Sequence, residues 1–218
     1  FMNVRINTPV VSPALVGLSA AIGVGVTLLA GLLPAISAGR VTPLEALRPS
    51  IGGVSLKRAA GAGFKGVEYL FPYGWSKEQL VDKLGKHHLK QVLHNLPAGN
   101  WQAGERGIAC LPGREGEFQE GVGLAIEYAK ALKCDCLNCL VGKAPQGTVS
   151  EKVRQTLVSN LRFAAMALEK ENIRLLVEPL NHQDIPEFYL AYTQDAFQLF
   201  KEVEKSNLWL QYDIYHMQ

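Results

Sequence analysis

The sequence predicts a parallel α/β fold, read as an incomplete (β/α)8 or TIM barrel preceded by one hydrophobic, transmembrane helix. Three observations carry that prediction. Short apolar runs alternate with helical patterns along residues 56–218, the signature of parallel strands joined by helices. Polar residues stand in or just beyond the carboxyl-terminal halves of these runs, at Glu68, Asn95, Glu178 and Asp213; in a barrel that end of the strands carries the active site. No glycine-rich phosphate loop follows a strand, which weighs against a Rossmann fold and implies no nucleotide cofactor.

The transmembrane helix rests on residues 6–39, which contain no charge. From Val10 to Ile36 the apolar segment is long enough to cross a bilayer as a helix of about 20 residues. It is rich in Gly and Ala, as packed membrane helices are. A buried soluble helix fits poorly, because a helix apolar on all sides needs a large core around it. A signal peptide is the other rival, since AISA resembles a cleavage site, but its apolar region is about 7–15 residues. Membrane contact through 10–36 is therefore expected, with residues 1–50 as one unit and 51–55, IGGVS, as a junction.

From Leu56 the alternation begins. Leu56–Gly63 reads as the end of a helix and Gly66–Phe71 as a strand. Ser76 with Gln79 forms a capping box opening a helix that runs to about His88. Leu89–Leu96 is the next strand, and a long loop, 97–114, leads to a helix whose face Phe118, Val122, Ala125, Ala129, Leu132 recurs at helical spacing. Leu137–Val141 is a strand and Glu151–Asn172 a long helix. Ile173–Leu180 is a strand interrupted by Pro179 directly after Glu178. Thr193 is expected to cap a helix to about Lys205, and Leu208–Ile214 is the last strand.

Charge excludes some partners. The formal net charge is +2, and residues 1–50 carry all of it through Arg5, Arg40 and Arg48 against Glu45. The remaining 19 basic and 19 acidic residues balance, and no basic or aromatic-interleaved patch suggests nucleic acid. Cys134, Cys136 and Cys139 are close together, but C-x-C-x-x-C lacks the paired spacing of a structural zinc site. Reduced, mostly buried thiols in a cytoplasmic setting are expected for 51–218. His87 and His88 read as a solvated helix end, His182 as a loop residue near the site, and Trp101 as the residue best placed to cover a small substrate.

The chemistry gathers at two strand ends. An acid at the end of a buried strand is costly unless it meets a cation or hydrogen-bond donors. Here two such ends follow one another, Glu178 and then Asp213, with His216 three residues on. Together they form an oxygen-rich site for a hard divalent cation.

Two resemblances sharpen these expectations. Gly31–Ser50, GLLPAISAGRVTPLEALRPS, resembles the end of bacterial ABC-transporter permeases of the lipoprotein- and macrolide-export type, and Arg40 and Arg48 would place residues 51–218 on the cytoplasmic side. Residues from about 56 to 218 resemble the hydroxypyruvate isomerase family of xylose-isomerase-like barrels. The matching segments are AGFKGVEYLFPY (62–73), LHNLPAG (93–99), AGERGIACLPGRE (103–115), EYAKALKC (127–134), LLVEPLN (175–181) and LQYDIYHMQ (210–218). The resemblance implies that Glu178 is a metal ligand and catalytic acid/base, Asp213 a metal ligand, and His216 a contact to substrate oxygens. Glu68, Asn95 and Arg114 are implied to face the substrate pocket. It implies a divalent metal, magnesium or manganese, and a small hydroxy-keto acid substrate isomerised through an enediolate. It covers about strands two to six of eight, so a further metal ligand and a second catalytic glutamate have no match. This chain alone is accordingly expected to be inactive, and a joined or truncated gene product is expected. A related sugar epimerase or repair nuclease, or a non-functional permease remnant, are the rival readings.

Overall fold

A computed structural model of the chain describes residues 56–217. The permease-like segment 1–50, its apolar stretch 10–36 and the junction 51–55 lie outside the described residues. Among the described residues no helix is long and apolar enough to cross a membrane.

Five parallel strands lie in chain order in one sheet: β1 (Gly66–Glu68), β2 (Lys90–Asn95), β3 (Cys136–Cys139), β4 (Arg174–Val177) and β5 (Leu208–Leu210). Between and before them run α1 (Leu56–Gly61), α2 (Lys77–Lys86), α3 (Glu115–Leu132), α4 (Ser150–Glu169) and α5 (Thr193–Val203). Sequential parallel strands, each crossing to the next through a helix, are the repeating unit of a barrel wall. The five-strand alternation expected from sequence is present.

The strands are shorter than the apolar runs that announce them. Of Gly66–Phe71 the regular strand is Gly66–Glu68, and of Leu208–Ile214 it is Leu208–Leu210, with single bonds from Asn95 N–H to the Leu70 carbonyl and from Gln211 N–H to the Val177 carbonyl just beyond. Apolar character reports burial, whereas a strand ends where its ladder of hydrogen bonds ends. At β4 the reason is explicit: Pro179 has no N–H to donate.

The helices follow their patterns closely. Ser76 accepts from the Gln79 backbone at 3.2 Å while the Gln79 side chain accepts from the Ser76 backbone at 3.1 Å, completing the capping box. The α3 face Phe118, Val122, Ala125, Ala129 and Leu132 is buried as its spacing requires. α4 buries Val153, Leu157, Leu161, Ala164, Ala165 and Leu168 against the sheet and the neighbouring helices. The expected Thr193 cap is a correction. Tyr192, with extended backbone, occupies the cap position, so Thr193 is already the first helical residue; its hydroxyl is turned toward Met217 Sδ at 3.1 Å.

The long loop after β2 is tied to the end of β3. Gly107, at φ +116°, bridges to Val141, and a Cβ there would meet the Leu140 carbonyl oxygen at 1.9 Å. Only glycine permits that approach. All four cysteines are free; Cys110, Cys134 and Cys139 are buried, as expected.

Candidate active site

Parallel register places polar side chains side by side at the carboxyl ends of the strands. Asn95 of β2 lies opposite Asn138 of β3, and Asn138 lies opposite Leu176 of β4. Two residues past Leu176, on the same face, comes Glu178. Asn138 Nδ2 donates to Asn95 Oδ1 at 2.9 Å and to Glu178 Oε2 at 3.1 Å. This row is buried: Asn138 is 0% exposed, Asn95 5% and Glu178 8%. Tyr73 adds a bond from its hydroxyl to the Asn95 carbonyl at 2.5 Å.

Glu178 is held in an unfavourable place for a charge. Burial is the chief cause that pushes its carboxyl up to about 7, and the carboxylates of Asp213 and Glu68 push the same way. Asn138 and Gln211, through hydrogen bonds, pull against them. Asp213 stands beyond β5, where the ladder continues with Gln211 donating to the Val177 carbonyl at 3.0 Å. Its Oδ1 accepts from the Tyr215 backbone at 2.8 Å, and its carbonyl accepts from the His216 backbone at 3.1 Å. This Asx turn folds His216 back over the acid. One ligand atom each from Glu178, Asp213 and His216 lies within 4.8 Å of the others.

These groups open on a cavity of about 370 Å³ whose lining includes Glu68, Asn95, Trp101, Glu178, Asp213 and His216. Among the described residues three carboxylates line it, and no lysine or arginine does. Tyr69 and Gln211, also in the lining, keep a buried hydroxyl and a buried amide oxygen without hydrogen-bond partners among the described residues. An unmet buried polar group costs about 1–3 kcal/mol, which a polar ligand relieves. Hard oxygen donors in an acidic cavity free of competing cations fit a divalent metal ion.

Of the residues singled out from sequence, Glu68, Asn95, Glu178, Asp213 and His216 meet in this cavity. Arg114 does not line it. Its guanidinium grips Glu117 through two bonds, at 2.7 and 2.6 Å, and pairs with Glu105. Glu105 in turn accepts from the Asn100 backbone, beside Trp101, and Arg114 holds its carboxyl below the usual range. Trp101 does line the cavity, its ring edge-on to Phe71 at 5.1 Å and covered by Arg106 at 4.1 Å. His182 lies outside the cavity lining, bonded to the Phe188 carbonyl at 2.9 Å. Sequence reasoning passed over Asn138 and Gln211. A polar residue on the inward face of CLNC, between apolar neighbours, was the available signal for Asn138.

Comparison with known proteins agrees with this architecture. Residues 56–218 match the model of the xylose isomerase-like TIM barrel family. The hydroxypyruvate isomerase of Escherichia coli K12 is 56% identical over 162 residues, covering 74% of this chain and 63% of that protein. The 2-oxo-tetronate isomerase of Cupriavidus necator is 40% identical over 160 residues, covering 73% and 62%. The chain thus spans less than two thirds of the length of these curated relatives. A crystal structure described as an AP endonuclease, family 2, from Brucella melitensis superposes with a TM-score of 0.73 at 39% identity, covering 78% of this chain and 67% of that one. Fold, site geometry and relatives converge: the chain belongs to the xylose isomerase-like TIM barrel family.

Proposed function

We propose that this site is that of a hydroxypyruvate isomerase, interconverting hydroxypyruvate and 2-hydroxy-3-oxopropanoate (tartronate semialdehyde) through an enediolate. The observation that carries the reading is Glu178, a buried carboxyl pushed up to about 7 within reach of Asp213 and His216. A group that titrates near neutrality both accepts and returns a proton at working pH. Glu178 takes the proton from C3 of hydroxypyruvate and the C2–C3 enediolate forms; a proton returned to C2, with the C3 hydroxyl proton passing to the C2 oxygen, leaves an aldehyde at C3 and completes the isomerisation. Identity of 56% to a hydroxypyruvate isomerase supports this substrate over the longer 2-oxo-tetronate, whose isomerase is 40% identical.

Glu178 and Asp213 would hold a magnesium or manganese ion. When bound, such an ion polarises the substrate oxygens and disperses the enediolate charge. The substrate is an acid and the described lining holds no lysine or arginine, so such an ion would supply the positive charge that attracts it. The same lack of basic residues disfavours a nucleic-acid substrate, whose binding rests on phosphate contacts from lysine and arginine. Glu68 and Asn95 orient the substrate from the β1 and β2 side. Arg114 acts at one remove, bracing through Glu105 the loop that carries Trp101.

Proton exchange at C3 tests the reading directly, because it needs only one base. In D₂O with manganese, NMR is expected to show deuterium entering C3 of hydroxypyruvate, with Glu178→Gln slowing the exchange at least about 10³-fold. Metal-independent exchange, or exchange untouched by the substitution, overturns it. The stretch 10–36 is proposed to insert in a membrane and leave 51–218 on its cytoplasmic face. Detergent phase partitioning of residues 1–55 tests this, and recovery wholly in the aqueous phase rejects it.

A further inference from the structure

Asn181, three residues beyond Glu178, sits in a network that determines which way its amide faces. Its Oδ1 accepts from the Asp184 backbone N–H at 2.9 Å. Its Nδ2 donates to Asp184 Oδ2 at 3.0 Å and lies 2.9 Å from His216 Nδ1. Turning the amide over would set N–H against N–H and oxygen against carboxylate at Asp184, so only this orientation is chemically sound. Asp184 is a firm anchor. Hydrogen bonds from Asn181 and Tyr215 hold its carboxyl below the usual range, so it offers lone pairs only.

The consequence falls on His216. With an amide N–H aimed at it, Nδ1 must accept, and a neutral imidazole that accepts at Nδ1 carries its proton on Nε2. We propose that the Asn181–Asp184 pair locks His216 in the Nε2–H tautomer, so that His216 faces the cavity as a hydrogen-bond donor and not as a metal ligand. Asn181 is then a positioning residue. Although Glu178, Asp213 and His216 cluster as a candidate triad of ligands, the ion belongs to the two carboxylates. The imidazole N–H is left for a substrate oxygen, where it stabilises the negative charge that grows as the enediolate forms. This assignment of roles rests on the isomerase reading; the tautomer does not.

The test reads the tautomer without substrate. The 218-residue chain, labelled with ¹⁵N-histidine and held with a chelator at about pH 8.5, well above the ordinary histidine value of about 6.5, gives long-range ¹⁵N–¹H ring patterns for its five histidines. The pattern missing in His216→Gln identifies His216. The wild type is expected to show Nε2–H. Asn181→Asp, whose carboxylate accepts from Nδ1, is expected to convert it to Nδ1–H, and Asn181→Leu to leave a mixture. A wild-type Nδ1–H pattern, or a pattern that ignores both substitutions, overturns the proposal. Manganese titration adds a second readout. His216→Gln is expected to change affinity less than about threefold, while Asp213→Asn weakens it tenfold or more; a tenfold loss in His216→Gln overturns the proposal. Absence of C3 exchange with the Nε2–H pattern intact would sink the isomerase reading alone.

Discussion

The centre and the margins of the sheet meet the same cavity in different ways. At the centre, Asn95, Asn138 and Glu178 form a buried, hydrogen-bonded row across β2, β3 and β4. At the margins, Glu68, the last paired residue of β1, is exposed, and Asp213 sits on a partly exposed turn after β5. Glu178, Glu68 and Asp213 are all carboxylates, but Glu178 is the buried one, and burial pushes it to about 7. The difference teaches that residue type alone does not make an acid/base group. Burial by flanking strands is what brings a carboxyl near neutrality, with the amides of Asn138 and Gln211 limiting the cost.

The loop after β2 is tied to the centre at the end of β3 through the Gly107–Val141 bridge, and the largest expected effect lies there. Gly107→Ala places a methyl 1.9 Å from the Leu140 carbonyl oxygen at φ +116°, so both the backbone and its bridge to Val141 must shift. A loss of about 3–4 kcal/mol is expected, read as a lower urea midpoint. An Ala variant within about 1 kcal/mol of wild type would show that the loop does not brace the centre.

The second effect is the pH dependence that burial gives Glu178. Its folded value, about 7, lies above the ordinary 4.5. Between these values the folded chain keeps a proton that the unfolded chain has lost. Stability from this group is therefore fully present below the ordinary value and falls as pH rises toward 7, by about 3 kcal/mol in all. Urea unfolding with a chelator, compared between wild type and Glu178→Gln, isolates it from the other carboxyls. Wild type is expected to lose stability relative to the variant from pH 5 to 8. A flat difference would mean that Glu178 is solvated like the margins.

Sequence made the centre partly legible and the margins less so. Glu178 stood out because an apolar run ends in an acid and then Pro179, and that pattern encodes both burial and a strand end. The capping box of Ser76 and Gln79 and the α3 face were legible because they are local, set within one turn or one helix period. Asn138 was not found, since its importance comes from cross-strand register with Asn95 and reach toward Glu178, and register is a property of the sheet. The resemblance implies that Arg114 faces the pocket, whereas R-E-G-E offers Glu117 one helical turn away, and Glu105 completes the pairing across the loop. Thr193 is not the cap because the helix starts one residue earlier than its sequence pattern suggests, with Tyr192 at the cap position. Strand lengths were overread for the reason seen at Pro179: burial outlasts pairing.

The smallest expected effect tests whether the margins act on the centre at all. Glu68 raises the carboxyl of Glu178 through space, but it stands behind burial and Asp213 in that influence. Exposed charges act through water and are screened within about 10 Å at 0.1 M salt. Glu68→Gln should therefore lower the Glu178 midpoint by well under one pH unit and change C3 exchange at neutral pH less than about threefold. The midpoint is read from the pH dependence of exchange, at low and high salt. If the substitution instead drops the midpoint by a full unit, Glu68 is coupled to Glu178 through the cavity as strongly as a buried neighbour. The contrast between centre and margin would then be one of access to solvent only, with the whole rim acting as a single titrating unit.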